Sequence, residues 1–396
     1  MLSKFYAPAA VSILKTLSRT FCGAACVAMV GAGVVAGSAG LDDAAAQGFR
    51  ASSAPLIAAH EWAAYKNTYI RSDGRVVDIE NHGVSHSEGQ GYGMLIAADA
   101  HDRETFDRIW TFTRNTLQIR SDNLLSWRYF PDAQPRVPDM NNATDGDILV
   151  AYGLIRAALQ WDDKRYLAEA DKLVHAIGKH LIADVAGMKV LKPGRSGFDN
   201  IPGNRGPVVN LSYYVFGALR TFEHIRPEFP WDEVVRNGRL LTQRAKFGSN
   251  QSTPDWIAID SNTGALSVAQ GVDRKSGYNA VRIPLYMAGG NLPDGDFAPF
   301  DWSWNIAGKG YPVERHMPSG RKVTKMNDLG YRFIAGLSGC VARGVAIPSQ
   351  DISFRTTTYY GSSLHLLGLA AAREYHPGCV APADSIAIGS AYAPAS

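Results

Sequence analysis

The sequence predicts an all-α fold, a single domain of many similar helices joined by irregular loops, which fits a helical toroid. Three observations carry this expectation. Apolar residues recur at three-and-four spacing in one segment after another from about Ala54 onward. Strand-like alternation is scarce: "GMKVLKPG" and "DWIAIDS" are short and suit a minor hairpin. Pro/Gly/Asn-rich joints such as "LKPGRSGFDNIPGNRGP" and "GGNLPDGDFAPFDWSW" punctuate the helical runs, with no composition shift and no short internal repeat.

Taken in order, residues 1–46 read as an export leader. Lys4, Lys15 and Arg19 supply positive charge, a Gly/Ala-rich apolar stretch follows from Phe21 to Ala39, and "DDAAAQ" offers cleavage after Ala46. Residues 47–396 then form one domain, expected to be periplasmic or secreted and to carry no membrane span once the leader is removed. Its helical runs begin with "APLIAAHEWAAYKNTYI", "MLIAADAHDRETFDRIWTFTRNTL", "ILVAYGLIRAALQW" and "DKRYLAEADKLVHAIGKHLI". They continue with "LSYYVFGALRTFEHI", "WDEVVRNGRLLTQRA", "YNAVRIPLYMAG", "KMNDLGYRFIAGLS" and "YYGSSLHLLGLAAAREY".

Composition bounds the rest. The 396 residues are 46% hydrophobic and 19% charged, enough to bury a substantial core. A formal net charge of +3 without a basic tract argues against nucleic acid as a partner. Cys22 and Cys26 fall in the leader; Cys340 and Cys379 remain, and export makes one disulfide available to them. No clustered His/Cys spacing supports zinc, and neither a metal nor another cofactor is expected.

The stretch "HSEGQGYGM" sets glycines at 89, 91 and 93 beside Glu88. Ser85 and Glu88 have capping-box spacing, so a plain helix start explains the glutamate. It does not explain the glycines, each of which costs up to about 1 kcal/mol relative to alanine in a helix. They make sense where a ligand or another backbone comes close. In "NNATDGDILVAYGLIRAALQW", Thr144 or Asp145 suits an N-cap and Asp147 a first turn. A calcium-loop reading of "DMNNATDGD" lacks the required glycine and bidentate glutamate. Trp127, Tyr213, Tyr214 and Trp256 lie at or near loops, where aromatic faces can stack on sugar rings. Carboxylates with such platforms point to glycosidic bond cleavage.

"SDGRVVDIENHGVSHSEGQGYGM", "NNATDGDILVAYGLIRAALQW", "TPDWIAI" and "GYNAVRIPLYM" resemble, in this order, the motifs of glycoside hydrolase family 8. The likeness runs from about Glu61 to Tyr375 and is strongest toward periplasmic endoglucanases that accompany bacterial cellulose synthesis. It implies an (α/α)6 barrel and an inverting, metal-free endo-hydrolase of β-1,4-linked chains such as cellulose, working beside cellulose synthase. By the same resemblance Glu88 stands for the general acid and Asp145 for the active-site aspartate that binds and distorts the central sugar. Trp127, Tyr213, Tyr278, Asn279 and Arg282 stand for substrate-binding positions. As an acid Glu88 has to carry its proton to the leaving oxygen, so aromatic packing around its carboxyl is expected.

One position departs from the family pattern. Where many members carry the aspartate that activates water, this chain reads Gly277-Tyr278-Asn279-Ala280-Val281-Arg282. An amide can hold a water but cannot take its proton. Asp255, Asp260 and Asp273 are the nearby candidates for the base, with Asp273 preferred on sequence. The same departure keeps chitosan and mixed-linkage glucan open as substrates, a chitosanase or lichenase, and leaves a non-catalytic polysaccharide-binding protein as the reading from another class.

Overall fold

The computed structural model describes residues 52–381. The expected leader, with Cys22 and Cys26, lies outside them. Twelve α-helices fall among the described residues. They are α1 (Ala59–Tyr69), α2 (Ser87–Asp99), α3 (Arg103–Thr116), α4 (Thr144–Trp161), α5 (Lys164–Leu181) and α6 (Phe216–Ile225). Then come α7 (Trp231–Arg244), α8 (Arg282–Gly289), α9 (Ala298–Asp301), α10 (Leu329–Arg343), α11 (Ser349–Ile352) and α12 (Tyr359–Tyr375).

The even-numbered helices close a ring. α2 packs on α4, α4 on α6, α6 on α8, α8 on α10, α10 on α12, and α12 returns to α2. The odd-numbered helices lie outside it: α1 against α12, α3 against α2, α5 against α4, α7 against α6, and α9 and α11 against α10. This is an (α/α)6 barrel, as expected. Sequence pattern explains the sorting. In α2 every residue except Glu88 is buried, and a helix apolar on all sides belongs inside. In α3, α5 and α7 buried residues follow one stripe and charges the other, as a helix half in solvent requires.

Two glycines show why the ring closes so tightly. A Cβ on Gly91 would sit 2.5 Å from Leu149 Cβ of α4, and one on Gly146 would strike the Ser87 hydroxyl. The lean sequence beside Glu88 therefore admits another helix, the backbone alternative of the sequence reading. The expected capping box is absent: α2 starts after His86 with no side-chain cap, and α4 starts after Ala143, with Thr144, Asp145 and Asp147 in its first turn.

Short antiparallel strands decorate one end. β1 (Ser85–His86) pairs with β2 (Arg128–Tyr129), tying the start of α2 to the Trp127 loop. β3 (Ile182–Val185) and β4 (Met188–Leu191) form a hairpin. β5 (Val208–Val209), β6 (Ile257–Ile259) and β7 (Leu266–Val268) make one three-stranded sheet. β8 (Lys275–Ser276), β9 (Val313–His316) and β10 (Lys322–Lys325) make another. The two segments expected to pair with each other thus fall in separate sheets, because β4 is taken by its own hairpin. Cys340 in α10 and Cys379 are joined in a disulfide, their Cα atoms 5.8 Å apart. No helix among the described residues is long and apolar enough to cross a membrane.

Candidate active site

Three inner helices begin at one mouth of the barrel, and each brings a charged group there. Glu88 and Asp145 lie in the first turns of α2 and α4, where the helix dipole favours negative charge, and Arg282 is the first residue of α8. Trp127, Tyr213, Trp256, His86 and Asn279 line the cleft with them.

Arg282 organises the group. It is only 2% exposed, yet its guanidinium reaches three cleft residues, Glu88, Asp145 and Asn279, as well as the buried Ser212. Nη1 donates to Glu88 Oε1 at 2.5 Å and to Asp145 Oδ2 at 2.8 Å. Nη2 donates to Ser212 Oγ at 2.7 Å and to Asn279 Oδ1 at 2.8 Å. The planar fork of arginine suits such a hub, since its donors are fixed relative to one another. An arginine can only donate, so the oxygen of Asn279 must face it and the amide NH2 points the other way.

Around Glu88 the expected aromatic wall is a hydrogen-bonding one. The Tyr92 hydroxyl, one helical turn on, donates to Glu88 Oε1 at 2.5 Å and meets the Tyr286 hydroxyl at 3.0 Å. Asp145 is fully engaged: Oδ1 accepts from the Gly146 N–H at 2.9 Å while Oδ2 takes Arg282. Burial first and the Glu88 charge second push its carboxyl up to about 6. Burial pushes the His86 imidazole down to about 4, so it faces the cleft uncharged, its ring stacked 6.0 Å from Trp127.

Asp147, beside Asp145, has no seat in the cleft. It accepts from the Leu125 N–H and from Asn142 Nδ2, both at 2.7 Å, and so fixes the loop that carries Trp127. The Trp127 indole N–H donates to Asp139 Oδ2 at 2.8 Å, setting the plane of its ring. Trp256 stacks on Phe198 with centroids 5.6 Å apart, and Tyr213 meets it edge-on at 6.2 Å.

Two expectations are corrected. Tyr278 does not line this cleft: its ring packs against Tyr331 and Tyr360, at 5.9 and 6.4 Å, and its carbonyl accepts from the Tyr360 hydroxyl. Tyr214 is core, wholly buried, its hydroxyl accepting the Leu191 N–H. Both look like their neighbour Tyr213 or Asn279 in sequence, and a one-residue step decides which way each faces.

Of the three aspartates considered as base, none lines the cleft. Asp260 pairs with Arg205 at 2.9 Å and accepts the N–H groups of Asn262 and Thr263. Asp273 pairs with Lys275 at 3.1 Å. Asp255 is buried directly behind Asn279, its Oδ1 accepting the N–H of Gly277 and of Ala280, both at 2.8 Å. Its Oδ2 accepts no hydrogen bond among the described residues. Burial pushes this carboxyl up to about 6.

Sequence reasoning passed over Tyr92, Ser212 and His86. Tyr92 was readable, four residues after Glu88 on one helix face. Ser212 reaches Arg282 only through the tertiary fold and left no local signal. Among the described residues no group of three or more His, Cys, Asp and Glu side chains could hold a metal ion.

A buried and a half-exposed carboxylate flanked by aromatic faces are what a glycan-cleaving cleft needs, and comparison with known proteins agrees. The family model "Glycosyl hydrolases family 8" matches residues 43–374. A probable endoglucanase of Novacetimonas hansenii is 35% identical over 343 residues, covering 86% of this chain and 98% of that protein. The structure of an endo-beta-1,4-glucanase from Acetobacter xylinum superposes with a TM-score of 0.73 at 35% identity, over 81% of this chain and 99% of that one. A family 8 endoglucanase from Klebsiella pneumoniae gives a TM-score of 0.72 at 30% identity, over 80% and 99%. With the barrel, the motifs and the matched length in accord, the chain belongs to glycosyl hydrolases family 8 and is a glycoside hydrolase.

Proposed function

We propose that this hydrolase is an endo-β-1,4-glucanase that cuts cellulose chains internally, with inversion, in the periplasm or outside the cell. The observation that carries this reading is the buried Arg282 holding Glu88 and Asp145 on one nitrogen at the floor of an aromatic-lined cleft. Glu88 gives its proton to the leaving glycosidic oxygen as the C1–O bond breaks. Asp145 and Arg282 hold the central sugar, while Trp127, Tyr213 and Trp256 supply faces for its neighbours. A water on the opposite face attacks C1. The Asn279 NH2 orients that water, and its proton passes by way of a second, relaying water to Asp255, which is buried behind the Asn279 loop and does not itself line the cleft. Asp255 fits this role better than Asp273, which is already neutralised by Lys275. The Cys340–Cys379 disulfide supports an oxidising compartment. Likeness to the endoglucanases of bacterial cellulose synthesis supports work beside cellulose synthase.

One observation favours a second reading. Glu88 and Asp145 bond the same nitrogen at 2.5 and 2.8 Å, so those oxygens lie closer together than the roughly 6.5–9.5 Å of an inverting pair. That spacing would suit retention, with Asp145 as nucleophile. Its two oxygens are both occupied and the group is almost fully buried, which weighs against attack by it. Proton NMR of cellohexaose during cleavage decides: α-anomer appears first if inversion holds, whereas initial β-anomer would make Asp145 the nucleophile. Glu88→Gln is expected to lower kcat by about 10²–10⁴-fold while still binding the oligosaccharide. Wild-type turnover by that variant would remove Glu88 as the acid. Chitosan and mixed-linkage glucan assayed alongside would reveal a chitosanase or lichenase.

A further inference from the structure

On the other side of the wall that holds Asn279 lies a second cavity, of about 330 Å³. The segment from Ser276 to Arg282 is shared: Ser276 and Ala280 face this cavity, and Asn279 and Arg282 face the catalytic cleft. The remaining walls come from the segment 246–253 after α7, from α9, from the π-turn Trp302–Ile306 and the loop 307–311 after it, and from the β9–β10 hairpin.

Its chemistry is one-sided. Lys246, Lys309, Arg315, Lys322 and Lys325 all line it, and no aspartate or glutamate does. Among the described residues none of the five makes an ion pair. The nearest acid along the hairpin, Glu314, points to the opposite face of β9 and is taken by Lys275 at 2.8 Å. Lys246 Nζ has one hydroxyl partner, Thr253 Oγ1 at 2.7 Å, and stands 4.1 Å over the Phe300 ring. Arg315 reaches only the Gly320 carbonyl, at 3.4 Å.

Lys246 and Arg315 are half-buried while Lys309, Lys322 and Lys325 stand exposed at the rim; like charges around one hollow repel one another, and an anion entering it would relieve that repulsion. Burial pushes the Lys246 ammonium down to about 7, as expected for a cation enclosed without an anion. Phe300, Trp304 and Tyr311 add aromatic faces to the same walls. Cations satisfy a carboxylate or phosphate, and aromatic faces stack on a sugar ring. The enclosed volume sits at the small end of ligand sites, which suits one or two sugar units rather than a flat polyanion such as duplex nucleic acid or a membrane.

We propose that this cavity is a second carbohydrate site, distinct from the catalytic cleft, for a saccharide bearing a carboxylate or a phosphate. Nothing in the proposal depends on which residues carry out hydrolysis. An acidic sugar held there would lie against the back of the Asn279 loop.

Calorimetric titration of the full chain tests it with four probes: digalacturonate for the carboxylate, glucose 6-phosphate for the phosphate, and glucose and cellobiose as neutral controls. At least one anionic probe is expected to bind, weakening as salt is added, with the neutral sugars at least about tenfold weaker. Which anion binds tells carboxylate from phosphate. The surface double variant Lys322→Glu/Lys325→Glu should lose at least about tenfold in that affinity while its basal hydrolysis of cellohexaose stays unchanged. Lys246→Met, which keeps the buried stem, should weaken the same probe. Failure of both anions to bind, equal binding of glucose, or affinity untouched in both variants would overturn the site. So would preferential binding of duplex DNA or anionic vesicles over either sugar.

Discussion

At the scale of single residues, the departure at Asn279 decides how water is activated. Its carbonyl is fixed on Arg282 Nη2 at 2.8 Å, so the side chain offers only N–H donors to the cleft. A donor can hold a water oxygen but leaves both water protons in place. Asp255→Asn isolates the proposed acceptor, because an amide oxygen can still take the Gly277 and Ala280 N–H groups that shape the loop. The variant is expected to melt with the wild type yet lose about 10²–10⁴-fold in kcat. Asp260→Asn and Asp273→Asn should remain within a few-fold, measured as reducing ends released from carboxymethylcellulose. Adding Asn279→Asp to the Asp255→Asn chain puts a carboxylate where the amide stands, and turnover should partly return. Wild-type activity in Asp255→Asn would discard this base.

Among the elements, the contact of α2 with α4 sets the distance between Glu88 and Asp145. Gly91→Ala would drive a methyl into Leu149 from 2.5 Å and push the two helices apart. Overpacking of this kind costs about 1–3 kcal/mol, and here it should also lower kcat because both carboxylates ride on the displaced helices. Gly295→Ala is the control: its Cβ would meet nothing within 4 Å, so its melting temperature and kcat should match the wild type. Equal behaviour of the two variants, by scanning calorimetry and turnover, would sever packing from catalysis. Elements of this kind were legible where side chains repeat. The inner helices announced themselves as long apolar runs, and Glu88, Asp145 and Arg282 came with distinctive motifs. The four-residue α9 and α11 carry no periodicity to read, and the starts of α2 and α4 deceived because cap-like residues stand beside caps that use no side chain. Ser212 and His86 join the site across gaps in sequence that only the closed ring bridges.

The whole molecule places many ionisable groups in a poorly solvated ring, and this gives its stability a characteristic dependence on pH. Asp78, Asp99, Asp145 and Asp255 are pushed up to about 6, chiefly by burial, against about 3.9 for an unfolded aspartate. Between about pH 4 and 6 the folded chain therefore keeps protons that the unfolded chain has released, and stability falls as pH rises through that window. His86 and His365, pushed down to about 4 by burial, work in the opposite direction from pH 4 to about 6.5. His101, His180 and His376, also held low by burial, add to them, so the histidines offset part of what the aspartates lose. Above pH 7 two groups oppose each other. Asp147, up at about 8 through burial, still loses stability as pH rises, whereas Lys246, down at about 7, gains it until an unfolded lysine would also be neutral. On the acid side, Asp102 and Asp122 are half-buried, which alone would raise them, yet hydrogen bonds from Lys66 and from Arg120 hold both below the ordinary range. Their contribution is lost as pH drops under about 4. Scanning calorimetry at constant ionic strength should give a melting temperature highest near pH 4–5, lower by several degrees at pH 6.5, and nearly level from 7 to 8. A melting temperature that climbs from pH 5 to 7 would mean that the inner ring hydrates these aspartates, and the dry site assigned to Asp145 and Asp255 would fall with it.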